Sequence, residues 1–357
     1  MNPTSRPSLR LAMHLLGHRN RSNELRRGVL AAAAVAALVL AGCGTTNERT
    51  ADTPAGDSST SCKGADGKYT IGMSQANVAE PYRQRMDDDI RAAAGEVPQF
   101  DVKFADAAQD NAKQVADVEN YITQQIDLLI ISPNEAKPLT AVVNKAYDKG
   151  IPVIVLDRKV EGDAFTGFIG GDNVQIGSEA GKYVAEKLLP QGGNIVELKG
   201  LAGATPQAER HQGFVDAIKA NPKIKIVADA SGDWLREKGQ AQMDALLKAT
   251  PKIDVVYAHN DPMAEGAYLA AKAVGREKEM KFLGIDALPI PSGGIKAVEQ
   301  GRLSATFTYP TNGKEAIAAA KKILVDCGTI EKSQILPTRL IDKENAAKIY
   351  AEENPTG

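Results

Sequence analysis

Five short, β-rich apolar runs in this chain each stop on a polar side chain and give way to a segment with helical spacing. They are TIGMS ending at Ser74, LLIIS at Ser132, VIVLDR at Asp157 and Arg158, VVYAHN at Asn260, and FLGID at Asp286. Strands that alternate with helices build a parallel sheet covered on both faces. The carboxyl ends of such strands form one rim, and ligands bind in the crevice outside it. The polar endings therefore read as one binding site gathered from distant parts of the chain.

Strands are expected near 68–74, 100–106, 128–132, 152–157, 168–171, 193–199, 224–230, 254–259, 280–286 and 304–309. Helical spacing fills most of the intervals, as at Val184, Leu188 and Leu189, or at Ala270, Ala273 and Val274. This is more strand than one small sheet carries. The direct passage from 152–157 to 168–171, with little helix between, points to a crossing between two sheets. The first crossing is placed near Gly171-Asp172, and two more, near Tyr309-Pro310 and Leu336-Pro337, return the chain to the first lobe and then to the second. The expected fold is α/β, with two doubly wound parallel-sheet lobes joined by a three-segment hinge. Residues 68–171 and 310–336 form one lobe, and 172–309 and 337–352 the other.

Ahead of the lobes the chain reads as an address. A basic leader ending in Arg26 and Arg27 precedes an apolar run, Val29 to Ala41, that is short for a bilayer span and has the proportions of a signal-peptide core. It closes on Leu40-Ala41-Gly42-Cys43, which resembles the bacterial lipobox, in which the cysteine is acylated and becomes the new N-terminus. Residues 1–42 are then a signal peptide and Cys43 a lipid anchor. Several acyl chains hold a protein at a membrane stably where one does so marginally, so the folded part is expected outside the cytoplasm. Residues 43–67 are rich in Thr, Ser, Ala, Gly and Asp, too poor in large apolar side chains to offset chain entropy, and read as a flexible tether. A formal net charge of −2, with no basic run after the leader, argues against a nucleic-acid partner. If Cys43 is acylated, two of the three cysteines remain, Cys62 and Cys327. Both are expected at the rim where strands begin, either as a disulfide in an oxidising compartment or as two free thiols.

Several segments together carry a family resemblance over essentially the whole mature chain. They are Ile151-Pro152 through Asp157-Arg158, Asp172-Asn173 opening a helix, Glu197-Leu198-Lys199-Gly200, Glu209-Arg210 before Gly213-Phe214, Gly232-Asp233-Trp234, His259-Asn260-Asp261 with Met263, and Gly284-Ile285-Asp286. The chain resembles periplasmic sugar-binding proteins of the ribose and galactose type, the solute receptors of ABC importers. The run from Val256 to Asp261, with Ser231-Gly232-Asp233 before Trp234, is more similar to the galactofuranose-binding branch. The resemblance implies a type I periplasmic binding protein fold, a monomer without cofactor or metal, a sugar ligand and a permease partner. It assigns Asp157 and Arg158 to sugar hydroxyls from the first lobe, Arg210, Asn260 and Asp286 to polar contacts from the second, and Trp234 to a ring packed on the sugar. Near the hinge, Tyr309, with Thr308 and Asn312, is a candidate ligand contact.

The chemistry of a sugar asks for the same set. Its hydroxyls donate and accept, so a site needs carboxylates, amides and a guanidinium fork, with aromatic walls for the C–H faces. Each residue also has a competing structural role: an ion pair for Asp157 and Arg158, a cap for Asp286, core packing for Trp234, and a solvated surface charge for Arg210. The entrance segment Ser74 to Arg83 departs from the ribose pattern, which has two consecutive phenylalanines where this chain has Tyr82 and Arg83. An arginine there favours a ligand with an extra exocyclic hydroxyl or an acidic group. Ser132 stands where ribose receptors carry an amide.

Enzyme motifs are missing from the sequence: there is no Gly-x-Ser-x-Gly elbow, phosphate loop, His-Glu-x-x-His helix or zinc-spaced cysteine set. His211 reads as exposed and His259 as a satisfied core histidine. A sugar-responsive transcription regulator is rejected, because a lipobox stands where its helix-turn-helix would be. A sensory receptor that presents a sugar-like signal to a membrane kinase or chemoreceptor remains the alternative.

Overall fold

The computed structural model describes residues 62–354. The expected signal peptide, the expected lipidation site Cys43 and the expected tether up to residue 61 lie outside the described residues. The chain opens with β1 (Tyr69–Gln75), α1 (Pro81–Gly95), β2 (Phe100–Asp106), α2 (Asn111–Thr123), β3 (Leu128–Ser132), α3 (Ala136–Asp148), β4 (Val153–Leu156) and β5 (Gly167–Gly171). It continues through α4 (Asn173–Tyr183), β6 (Gly193–Lys199), α5 (Thr205–Ile218), β7 (Ile224–Ser231), α6 (Arg236–Ala249), β8 (Val255–Ala258), α7 (Asp261–Ala273) and β9 (Lys281–Leu283). Then come α8 (Gly294–Glu299), β10 (Ala305–Phe307), α9 (Gly313–Leu324), β11 (Ser333–Leu336), β12 (Leu340–Asp342) and α10 (Ala346–Glu353).

Two six-stranded sheets result, ordered β11-β5-β4-β3-β1-β2 and β12-β10-β9-β8-β6-β7. Each repeats one doubly wound order, with its first strand between its second and third. The central strands are apolar throughout because helices cover both faces: Leu128, Leu129, Ile130 and Ile131 of β3 are fully buried. Burial of each such side chain contributes about 1.5–3 kcal/mol. The chain passes between the sheets after β5, after β10 and after β11. Two of these passages lie side by side: Thr308 N–H donates to Arg339 O at 2.9 Å, and Arg339 N–H donates to Thr308 Oγ1 at 2.8 Å.

β11 and β12 extend the expected set of strands. Both are short edge strands, SQIL and LID, and β11 is largely exposed, so neither shows the apolar run that marks the others. β11 joins β5 in parallel and β12 joins β10 antiparallel. A disulfide links Cys62, just ahead of β1, to Cys327, just past α9, with Cα atoms 5.5 Å apart. No helix among the described residues is long and apolar enough to cross a membrane.

Candidate functional site

The carboxyl ends of the two sheets face each other across a cleft closed by direct contacts. Lys159 Nζ pairs with Glu209 Oε1 at 2.7 Å, and Lys159 N–H donates to Thr205 Oγ1 at 3.0 Å. Ala136 N–H donates to Gly203 O at 2.9 Å, and Gln109 Nε2 to Asp233 O at 3.2 Å. Behind these contacts lies a pocket shared by the two lobes. It is lined by Glu80, Tyr82, Arg83, Asp157, Arg158, Pro206, Arg210, Trp234, Asn260, Asp286 and Tyr309.

From the first lobe, Asp157 and Arg158 follow β4, and Arg83 reaches in from the first turn of α1. Asp157 Oδ2 lies 2.6 Å from Arg83 Nη2 and 3.7 Å from Arg158 Nε, with all three side chains almost fully buried. Burial alone would raise the Asp157 carboxyl, but Arg83 and Arg158 outweigh it and hold it below the usual carboxylate range. Arg158 donates to Asn134 O at 3.0 Å. Burial, with repulsion from Arg83, brings its guanidinium down to about 10. Tyr82 donates to Pro310 O at 2.9 Å, and its ring centre stands 5.5 Å from that of Tyr309.

From the second lobe, Arg210 is buried rather than solvated, contrary to the plain reading of its Glu209 and His211 neighbours. The reason is close packing of α4 on α5: a Cβ on Gly177 would stand 2.2 Å from Arg210 O. Arg210 Nε donates to Asn173 Oδ1 at 2.9 Å, Nη1 donates to His259 O, and the guanidinium lies 4.5 Å from the Tyr309 ring centre. Trp234 fits against Gly200, where a Cβ would stand 2.1 Å from the indole. The guanidiniums of Arg158 and Arg210 lie 5.3 and 5.5 Å from its ring. Asn260 lines the pocket while holding structure together. Its Oδ1 accepts from Met263 N–H at 3.1 Å as the cap of α7, and its Nδ2 donates to Trp234 O at 2.9 Å. Burial, then repulsion from Asp261, pushes Asp286 well above the carboxylate range.

Asp157, Trp234 and Asp286 adopt φ of 63°, 72° and 129°. Left-handed backbone at non-glycine residues costs about 1–3 kcal/mol each and clusters where a side chain must be aimed. Two pocket donors, Arg83 Nε and Trp234 Nε1, are buried with no hydrogen-bond partner in the protein.

Two expected contacts, Ser74 and Ser132, are not among the lining residues. Ser74 lies beneath the pocket, where its Oγ accepts from Gln114 Nε2 at 3.3 Å. Ser132 stands behind Arg83, accepting from Nη1 at 2.5 Å and donating to Asp157 Oδ2 at 3.5 Å. Successive side chains of a strand alternate across the sheet, so a strand end marks the rim without fixing which residue faces the cleft. Thr308 and Asn312 also fall outside the lining. His259 is a core residue, with Nε2 2.9 Å from Glu197 Oε1, and His211 is half-buried on the same carboxylate, 2.8 Å from Oε2. Glu80 and Pro206 are additions to the lining. The overlooked signal for Glu80 is a glutamate at a helix start, ahead of Pro81, where Ser, Thr, Asp or Asn is usual.

The sequence pattern of the periplasmic binding protein domain matches residues 71–327. The ribose import binding protein of Bacillus subtilis is 33% identical over 259 residues, covering 72% of this chain and 82% of that protein. The galactofuranose-binding protein of Escherichia coli is 30% identical over 293 residues, covering 80% and 91%. Among solved structures, the fructose-binding periplasmic domain of a hybrid two-component system is similar with a TM-score of 0.78 and 44% identity, over 80% of this chain and 95% of that one.

Proposed function

The chain belongs to the periplasmic binding protein family, and from that premise we propose that it is the extracytoplasmic sugar receptor of an ABC importer. It captures a monosaccharide, hexose or pentose and furanose forms included, between lobes 68–171 plus 310–336 and 172–309 plus 337–352. It then delivers the sugar to a membrane permease. Cys43 carries the lipid anchor, and the expected tether 43–67 does its work up to residue 61, since the Cys62–Cys327 disulfide pins the chain to the folded body from there on.

The observation that carries this reading is the pair of orphaned donors, Arg83 Nε and Trp234 Nε1, on two residues that line a pocket built by both lobes. Buried polar groups are nearly always partnered, and ligand hydroxyl oxygens supply the missing acceptors. Arg83, Arg158 and Arg210 share the pocket with the acidic residues Glu80, Asp157 and Asp286, and Arg83 already has its counter-ion in Asp157 at 2.6 Å. This narrows the choice left open for Arg83: its fork is occupied by Asp157 and Ser132, which favours a ligand hydroxyl over an acidic group. Tyr82, Trp234 and Tyr309 supply apolar surface for the sugar ring. Ligand contacts to both lobes exist together only in the closed form, so the sugar itself shifts the equilibrium toward closure. Binding is the whole task, and no covalent step is assigned to any residue.

The test is a thermal-shift and calorimetric screen against pentoses and hexoses, since a ligand bound only by the folded form raises its melting temperature. X-ray scattering should report a more compact protein with the sugar that binds. No shift and no heat with any saccharide would remove the proposal.

One finding favours the sensory alternative: the fructose-binding neighbour at 44% identity comes from a two-component system. Sugar uptake by cells lacking this protein separates the two. Lost uptake supports import, whereas normal uptake with a lost transcriptional response supports presentation to a membrane kinase or chemoreceptor.

A further inference from the structure

Glu80 immediately precedes α1, the position from which Asp110, Asp172 and Asn260 each accept a backbone N–H of their own helix in α2, α4 and α7. Glu80 makes no such cap. Its carboxylate lines the pocket at 4% exposure. Asn77 Nδ2 holds it there, donating to Oε1 at 3.1 Å, and Asn77 Oδ1 is itself fixed by Ala79 N–H at 2.9 Å. Burying a carboxylate is unfavourable, and α1 draws no capping bond from this one. Nor does Arg83 lack a counter-ion without it, because Asp157 already lies 2.6 Å away.

What Glu80 adds is charge and hydrogen-bond polarity. Of the other acidic groups in the pocket, Asp157 is taken up by Arg83 at 2.6 Å and Asp286 is pushed toward its neutral form, so without Glu80 the arginines stand in excess and would draw in an anion. Glu80 sets a further carboxylate on the pocket wall against that excess. An ionised carboxylate only accepts hydrogen bonds, so a ligand hydroxyl satisfies it and a ligand carboxylate opposes it. We propose that Glu80 is a specificity-determining residue that admits neutral hydroxylated sugars to this pocket and excludes the corresponding sugar acids. The proposal rests on the sugar-binding reading and concerns the selectivity of that same site.

Calorimetry on the wild type, Glu80→Gln and Glu80→Asp tests it with matched pairs: D-fructose and D-fructuronate, D-galactose and D-galacturonate, D-ribose and D-riburonate. The wild type should bind at least one neutral sugar about 100-fold or more tightly than its acid, because like charges set against each other are strongly disfavoured. Glu80→Gln should narrow that ratio at least tenfold, while Glu80→Asp, which keeps the charge, should preserve the exclusion and bind the neutral sugar more weakly. A ratio unchanged in Glu80→Gln, or a wild type that takes the acid as tightly as the sugar, overturns the role of Glu80 and leaves sugar binding standing. No heat from the wild type with any of the six, nor with any other pentose or hexose of the screen, overturns the sugar reading and this proposal with it. If Glu80→Gln fails to fold, Asn77→Ala serves, since it frees the carboxylate without removing its charge. That variant should bind the neutral sugar more weakly and still exclude the acid; admission of the acid would count against the proposal.

Discussion

Replacing Asp157 by Asn removes the anion on which the first-lobe half of the pocket turns. The Asp157 and Arg83 side chains are each 3% exposed and 2.6 Å apart. Breaking a buried ion pair by removing one partner costs about 3–5 kcal/mol, because the surviving charge is left uncompensated. Glu80 is the next electrostatic neighbour of Arg83 after Asp157 and recovers part of this. The expected loss in the ligand-free protein is therefore about 2–4 kcal/mol. Arg83→Met alone should cost a similar amount. The double variant leaves neither charge unpaired, so it should cost less than the sum of the singles by about 2–3 kcal/mol. Urea denaturation measures all three, with constant m-values establishing that midpoint shifts report stability. Binding is read separately by calorimetry. A hydrogen bond from a sugar hydroxyl to a charged group is worth about 1.5–3 kcal/mol, so Asp157→Asn should weaken binding by about 10- to 150-fold. Single-variant losses below about 0.5 kcal/mol, or losses that simply add, would refute the claim that this pair is energetically one unit.

Trp234→Phe keeps an apolar ring and deletes the orphaned Nε1 donor, so sugar affinity should fall by about 3- to 10-fold while ligand-free stability holds or rises; unaltered affinity would make the indole a packing residue. The Cys62→Ser/Cys327→Ser double variant should lose about 2–4 kcal/mol in urea denaturation, with sugar affinity intact, because the bridge lies at the strand-start edge, away from the pocket. Burial, countered in part by bonds from Thr306 and the Ala287 N–H, pushes Asp261 up to about 7. A carboxyl that holds its proton more tightly when folded adds stability that is complete below about pH 4 and is lost as pH rises through about 7. Ligand-free stability should therefore fall between about pH 4 and 7, and Asp261→Asn should flatten that decline in urea midpoints; an equal slope in the variant would place the titrating group elsewhere.

Residues whose role follows from local pattern were legible in the sequence. Asp157, Arg158, Asn260 and Asp286 each end or follow an apolar run, and a parallel sheet puts every such ending on one rim. What depends on distant packing was not. Arg210 sits between Glu209 and His211 on a helix, and its burial comes from the approach of α4 through Gly177, a contact that no local window contains. Ser74 and Ser132 have the right position along their strands, yet neighbouring helices and arginines take their hydroxyls below or behind the pocket. β11 and β12 exist as strands because the crossing segments bring them to open sheet edges, so their own sequences carry little strand signal.

The backbone of the pocket was hidden for a different reason. A glycine would announce a left-handed turn, but Asp157, Trp234 and Asp286 occupy such turns as residues that pay a conformational cost there. Each is held from outside its own segment: Asp157 by Arg83 from α1, Trp234 by the amide of Asn260, and Asp286 by backbone bonds to Phe307 and Tyr309 at the crossing. The side chain is chosen for what it offers a ligand, and the conformation is imposed by neighbours tens of residues away. Residue type at these positions therefore signals chemistry, while the strain that aims it becomes visible only in three dimensions.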